Sequence, residues 1–173
     1  VQHAYSNGVL VVASAGNCGD INYAQNNCDY ENQAVYPAAY DMQVLAVAAT
    51  SPYDTVTSFS NQGSYIDVAA PGLSIRSTVL NNTYAYYSGT SQAAPFVSGL
   101  TALMLSVDPT LTPQQLEAII AGTAQDLGTS GWDPNYGAGR IEAMAALLQT
   151  LGLDPPQLLP IHNADRDGAF LVD

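Results

Sequence analysis

The run Ser88-Gly89-Thr90-Ser91-Gln92-Ala93-Ala94-Pro95 is a turn of small residues that leads directly into an apolar segment. A serine in that position sits at the start of a helix, where backbone N–H groups and the helix dipole favour developing negative charge. This suits acyl transfer, with Ser91 as the nucleophile. A second segment, Ser14-Ala15-Gly16-Asn17, closes a buried apolar run. Asn17 offers a side-chain amide able to donate to an oxyanion, and the Ser91 backbone N–H would add another donor. Each motif has an ordinary structural use as well: Gly-Thr-Ser triplets are common in loops, and Gly16-Asn17 is a natural turn. An α/β-hydrolase elbow is excluded, because that nucleophile needs Gly-x-Ser-x-Gly and residues 89–93 read Gly-Thr-Ser-Gln-Ala.

Such residues need a scaffold, and the hydrophobic pattern supplies one. Residues 8–15 form a continuous apolar run that predicts a strand buried on both faces, as in a parallel sheet, with Gly16-Asn17 at its carboxyl end. In open α/β sheets that edge collects catalytic groups. Further buried strands are predicted at 44–50 and at 65–70, the latter stopping at Pro71-Gly72. Residues 74–80 and 84–87, separated by Asn81-Asn82, read as a hairpin. The stretch 91–107 is apolar almost all round and predicts a fully buried helix, with Pro95 tolerated in its first turn. Thr112-Pro113-Gln114-Gln115 opens another helix with a capping-box pattern, and a last helix is expected at about 140–151.

With 173 residues, 47% of them hydrophobic, the chain can bury one substantial core, which argues for a single domain or most of one. Three basic residues (Arg76, Arg140, Arg166) against fifteen acidic ones give a net charge of −12, the wrong sign for gripping phosphate backbones. Nucleic acid is a poor partner on that ground. No apolar run reaches the roughly 18 residues of a membrane span. Cys18 and Cys28 share one polar loop, where a short disulfide closing the loop is expected and points to secretion.

Taken in order, Val-Ala-Ser-Ala-Gly-Asn (12–17), Tyr-Pro-Ala-Ala-Tyr (36–40), Ser-Phe-Ser (58–60), Asp-Val-Ala-Ala-Pro-Gly (67–72), Ser-Gly-Thr-Ser-Gln-Ala-Ala-Pro (88–95) and Tyr-Gly-Ala-Gly-Arg-Ile (136–141) resemble the C-terminal half of the catalytic domain of subtilisin-like serine proteases, the subtilase family. The resemblance runs from Val1 to about Gln149. It implies a three-layer α/β/α sandwich with a mainly parallel sheet, incomplete in its N-terminal half. It also implies peptide-bond hydrolysis by a secreted endopeptidase acting on polypeptide substrates, with an acyl-enzyme on Ser91 and Asn17 in the oxyanion hole. Gly89 and Thr90 match the approach to the nucleophile. Ser14, Ala15 and Gly16 resemble one wall of the primary specificity pocket, and Val35 falls near its base, where relatives carry glycine and a valine would disfavour large aromatic side chains. Ala38, Tyr40 and Asp67 match a weak calcium or sodium site of some relatives, although Asp67 capping a turn or bonding locally explains it equally well. One extra residue at 41–43 blurs that register. No cofactor is implied for the chemistry.

A serine nucleophile needs a base and a group that orients it. The family carries these in Asp-Thr-Gly and His-Gly-Thr segments, and neither is present. The two histidines, His3 and His162, lie outside such a context and read as surface residues. The expectation is therefore a piece of a longer protease, residues 1–151 belonging to the peptidase domain and 152–173 being a linker and the start of something further. The missing N-terminal half of the catalytic domain would be its partner, and the isolated chain would be inactive. The Asp pair in residues 162–168 lacks the spacing of an EF-hand. The rival is a catalytically silent binding or scaffold module on the same fold.

Overall fold

The backbone amides of residues 45–50 have no water to bond with, because Leu45–Thr50 (β2) is buried along its whole length. They are satisfied by parallel neighbours on both sides and, at Ala46 and Ala49, by the Asp67 carboxylate and the Ser60 hydroxyl. In a computed structural model that describes residues 1–20, 28–40 and 43–153, β2 lies between Val12–Ser14 (β1) and Val68–Pro71 (β3), in register Ala13 to Ala46 and Ala48 to Ala69. Side chains alternate across β2. Leu45, Val47 and Ala49 face a core shared with the helices, while Ala46 and Ala48 face clusters built from Ala13, Ala38 and Val44 and from Ala15, Ile66 and Tyr136. A strand apolar on both faces has to be central in a sheet, and β2 is.

Thr90–Val107 (α2) crosses all three strands. Its seat is Ala93, Val97, Leu100 and Met104, packed on Val47, Ala49, Val68 and Ala70. Complete burial of such an aliphatic side chain is worth about 1.5–3 kcal/mol, against about 1 kcal/mol for a capping side chain. Burial on the sheet therefore sets where this helix lies. Pro113–Gly122 (α3) and Ala143–Thr150 (α4) complete the same core through Leu116, Ile120 and Ala146. The capping box of α3 is formed: the Gln115 N–H donates to Thr112 Oγ1, and the Thr112 N–H donates to Gln115 Oε1. A short helix, Gln2–Ser6 (α1), precedes β1. Ile75–Val79 (β4) and Thr83–Tyr87 (β5) form the expected antiparallel hairpin, with Asn81 and Asn82 left-handed at φ 66° and 55° in its loop.

The α/β class with its mainly parallel sheet is as the sequence indicates. Several details differ. The first strand is only three residues long, with Val12 and Ser14 partly exposed, because Val9 is 53% exposed and the chain joins the sheet late. The helix at 90–107 is not buried all round. Among the described residues it is covered by the sheet and by the helix at 143–150, and Phe96 and Leu103 are 44% and 52% exposed. The last helix starts three residues later than expected, since the Arg140 N–H donates to the Gln125 carbonyl and the Ile141 N–H to that of Ala69. Residues 154–173, with His162 and the Asp pair, and residues 41–42 of the extra-residue segment lie outside the described residues. Among the described residues no helix is long and apolar enough to cross a membrane.

Between α3 and the start of β2, Val44, Leu45, Asp67, Glu117, Ala121, Trp132 and Ala138 line a depression of about 290 Å³. Burial, and after it the nearby Asp67 charge, pushes the Glu117 carboxyl above its usual range, while the Tyr5 hydroxyl, donating to Oε2 over a long 3.5 Å, pulls it back. The folded chain thus holds this proton more tightly than the unfolded chain. The associated stability is complete below the unfolded value of 4.5 and is lost as pH rises through the elevated folded value. Glu117→Gln is expected to raise the urea midpoint at pH 7 and to leave it nearly unchanged below pH 4. Equal shifts at both pH values would contradict this linkage.

Candidate active site

The site assembles where the three parallel strands end. Ala15 N–H extends the β1–β2 ladder by donating to the Val47 carbonyl at 2.9 Å, which puts Gly16 and Asn17 just past the carboxyl end of β1. Gly72, just past β3, donates its N–H to Thr50 O at 2.9 Å and accepts the Gly89 N–H at 2.8 Å. A side chain at Gly72 has no room, since its Cβ would lie 2.6 Å from Ala49 Cβ and 2.8 Å from the Gly89 carbonyl. The Ser74 N–H donates to Ser88 Oγ at 2.9 Å. The entry to α2 is in this way fastened to the sheet edge before the helix begins.

Position 17 then meets position 90. The Thr90 N–H and the Thr90 hydroxyl both donate to Asn17 Oδ1 at 2.9 Å, and Thr90 Oγ1 accepts the Gly16 N–H at 3.2 Å. Thr90 is the first residue of α2, whose N-cap Gly89 has no side chain to offer, so Asn17 caps this helix from another part of the chain. An amide N–H can only donate, which fixes Oδ1 on Thr90 and turns the NH₂ end of Asn17 away from it. That end lies along Gly89, where a Cβ would stand 3.5 Å from Asn17 Nδ2 and 2.8 Å from Gln92 Oε1. Glycine at 89 keeps this space open.

Ser91 follows at the second helical position and is exposed. It lines a depression of about 340 Å³ with Ile75, Arg76, Ser77, Gln92, Pro95 and Phe96. Among the described residues no histidine or carboxylate lines it, and His3 is exposed on α1. Arg76, one of the chain's three cations, holds its guanidinium 4.7 Å from the centre of the Tyr84 ring across the hairpin. Arg140 pairs with Asp54, Nε to Oδ1 2.7 Å.

The residues expected to bind substrate are also gathered. Gly16, at φ 109°, is enclosed: a Cβ there would stand 2.8 Å from Val35 Cγ2 and 2.6 Å from Asn61 Nδ2. Val35 thus faces the strand end that carries Ser14 and Ala15. The Tyr65 hydroxyl donates to the Ala15 carbonyl at 2.9 Å, and burial pushes its phenol pKa up, so it remains a donor. The Cys18–Cys28 disulfide is formed, with Cα atoms 5.8 Å apart. Ala38, Tyr40 and Asp67 are the expected cation donors. Tyr40 lines a depression with Val1, Gln2 and Gln43, whereas Asp67 lines the one at Glu117 and accepts the Ala46 N–H on Oδ2 at 2.6 Å. The backbone groups of Asp67 serve the sheet edge too, its N–H donating to Ala46 and its carbonyl accepting from Ala138. Ala38 is buried against Val44 and Ala46.

Sequence reasoning missed Asn61 and Tyr65. Asn61 follows the Ser-Phe-Ser block directly, and it is fully buried. A buried amide needs several partners, but these come from residues 16–18, 33 and 65, and no local pattern announces such a set.

The family model described as the subtilase family matches residues 1–139. Subtilisin DY of Bacillus licheniformis is 42% identical over 146 residues, which is 84% of this chain and 49% of that protein. The minor extracellular protease Epr of Bacillus subtilis (strain 168) is 41% identical over 145 residues, covering 84% of this chain and 21% of that protein. The thermophilic serine proteinase of Bacillus sp. (strain AK1) is 46% identical over 106 residues, 61% of this chain and 23% of that protein. The chain spans about half or less of the length of the curated relatives it matches.

Thr90→Val removes both bonds of the hydroxyl and leaves the buried Gly16 N–H without an acceptor. A loss of about 1–3 kcal/mol in urea unfolding is expected, with faster amide exchange at Gly16, and Thr90→Ser should restore most of both. Unchanged exchange at Gly16 in Thr90→Val would show that the hydroxyl does not hold this turn.

Proposed function

The chain belongs to the subtilase family, and we propose that it carries the nucleophile and the oxyanion-binding amide of a serine endopeptidase. The observation supporting this most strongly is the Asn17 carboxamide, hydrogen-bonded onto the first residue of the helix that presents Ser91, at the carboxyl edge of a parallel sheet. In this proposal the Ser91 hydroxyl attacks the carbonyl carbon of a peptide bond and gives up its proton to a base. The carbonyl oxygen becomes an oxyanion, which Asn17 Nδ2 and the Ser91 N–H stabilise. Collapse expels the amine, which takes up the proton and leaves an ester on Ser91, and water then hydrolyses the ester.

The base and the group orienting it are proposed to come from sequence outside these 173 residues. Two facts support this: among the described residues no histidine lines the depression at Ser91, and the subtilisin relatives are about twice as long as the matched region. On this reading the isolated chain turns over no peptide. Polypeptides are the proposed substrates, with the chain from Ser14 to Gly16 and Val35 bounding the pocket for the residue before the scissile bond. Secretion is proposed from the Cys18–Cys28 disulfide and from the extracellular relative. Calcium or sodium at Ala38, Tyr40 and Asp67 has no part in the reaction proposed here.

The test is expression of the full-length protein, labelling with a fluorophosphonate, and kinetics on peptides. Ser91 is expected to carry the label, and Ser91→Ala to abolish both label and turnover. Asn17→Ala should lower kcat about 10²- to 10³-fold with little change in KM, a size measured for such a donor in a subtilisin and carried over to this chain. A full-length protein that neither labels nor cleaves would favour the silent binding module. Val35→Gly should raise kcat/KM for Phe or Tyr before the scissile bond relative to Ala. A parent enzyme that already prefers those aromatics would contradict the assignment of Val35.

A further inference from the structure

Asn61 has no exposed surface, and its polar side-chain groups are engaged. Its Oδ1 accepts the Cys18 N–H at 2.6 Å, and its Nδ2 donates to Gln33 O at 2.7 Å and to Tyr65 Oη at 3.0 Å. Its backbone N–H donates to Gly16 O at 3.0 Å. The two peptide groups flanking the Asn17 Cα are those that carry the Gly16 carbonyl and the Cys18 N–H. One residue therefore holds both planes. Because a peptide group is rigid, fixing the planes on each side of a Cα fixes its φ and ψ together. The direction in which Asn17 projects its side chain follows from those two angles.

We propose that Asn61 is a positioning residue for the reaction: it sets the backbone of Asn17, and through it the aim of the Asn17 NH₂ at the oxyanion. This rests on the endopeptidase reading. Thr90 fixes the far end of the Asn17 side chain and Asn61 fixes its root, so the amide is held at two points about a side-chain length apart. The same side chain ties this loop to the segment that carries Val35, because the Gln33 carbonyl accepts from Nδ2. It continues through Tyr65 to the Ala15 carbonyl, giving a chain of hydrogen bonds across the floor of the site. A packing role alone would need none of this polarity in a fully buried position. An apolar side chain of similar volume would avoid desolvating an amide.

The experiment is a double-mutant cycle in the full-length enzyme, using Asn61→Ala, Asn61→Ser and Asn17→Ala, with every rate divided by the serine titrated with fluorophosphonate. The titration removes any loss caused by unfolded protein. Asn61→Ala is expected to lower kcat per titrated serine about tenfold, part of the full value of the donor, with KM changed less. In the Asn17→Ala background the same substitution should cost less than about twofold, since no donor is left to misplace. If Asn61→Ala leaves too little titratable serine, Asn61→Ser carries the comparison. An equal loss in both backgrounds, or none in either, would overturn the positioning role while leaving the endopeptidase reading intact. A parent enzyme with neither label nor turnover would instead remove the reading on which this role depends.

Discussion

The hydrogen bonds between Asn17 and Thr90 join the two halves of the candidate site across 73 positions of sequence. Asn17 belongs to the turn after β1, and Thr90 opens the helix that carries Ser91. The contact satisfies a donor that every helix start leaves open, and it does so with a side chain whose other end is a pair of N–H donors. One amide therefore caps the helix that carries Ser91, and its NH₂ end lies along Gly89, two residues before that serine. Without the contact, the Gly16 N–H on Thr90 Oγ1 would be left to join the turn to the helix.

That geometry depends on places where atoms are missing. Gly72 lets the end of β3 lie against the chain entering α2, Gly89 leaves room beside Asn17, and Gly16 passes between Val35 and Asn61. A methyl group at Gly89 would meet the end of the Gln92 side chain, which can turn aside, but at Gly16 or Gly72 it would meet enclosed atoms at 2.6 Å. Close-packed interiors do not absorb such an overlap without moving the backbone. The core of α2 resists that movement, because Ala93, Val97, Leu100 and Met104 are pinned to β2 and β3. Rigid burial below and close approach above together hold the turn.

Much of this scaffold was legible because its signals are local. The uninterrupted apolar run at 44–50 pointed to a strand covered on both faces, Asn81-Asn82 marked the hairpin loop, and Thr112-Pro113-Gln114-Gln115 spelled out a helix start. The candidate nucleophile and Asn17 were legible from their settings after a buried strand and before an apolar helix. The exposure of Phe96 and Leu103 was not, since apolar composition shows what a helix is able to bury and not what is present to cover it. Val9 and Leu10 have strand-like composition, but a strand exists only where a partner runs alongside, and the Leu45 N–H first meets this chain at the Val11 carbonyl. Asn61 was hidden for a related reason. Two of its partners lie 28 and 43 residues away in sequence, at Gln33 and Cys18, and their meeting is a property of the folded chain alone.

The central claim is that Asn17 and Ser91 serve one reacting carbonyl. A crystal structure of the full-length protein with a phosphonate bonded to Ser91 Oγ tests it most directly, because the phosphoryl oxygen occupies the place of the oxyanion. The account predicts that oxygen within about 2.7–3.1 Å of both Asn17 Nδ2 and the Ser91 N–H, with Oδ1 still on Thr90. A phosphoryl oxygen facing solvent or other donors, with Asn17 turned elsewhere, would contradict it.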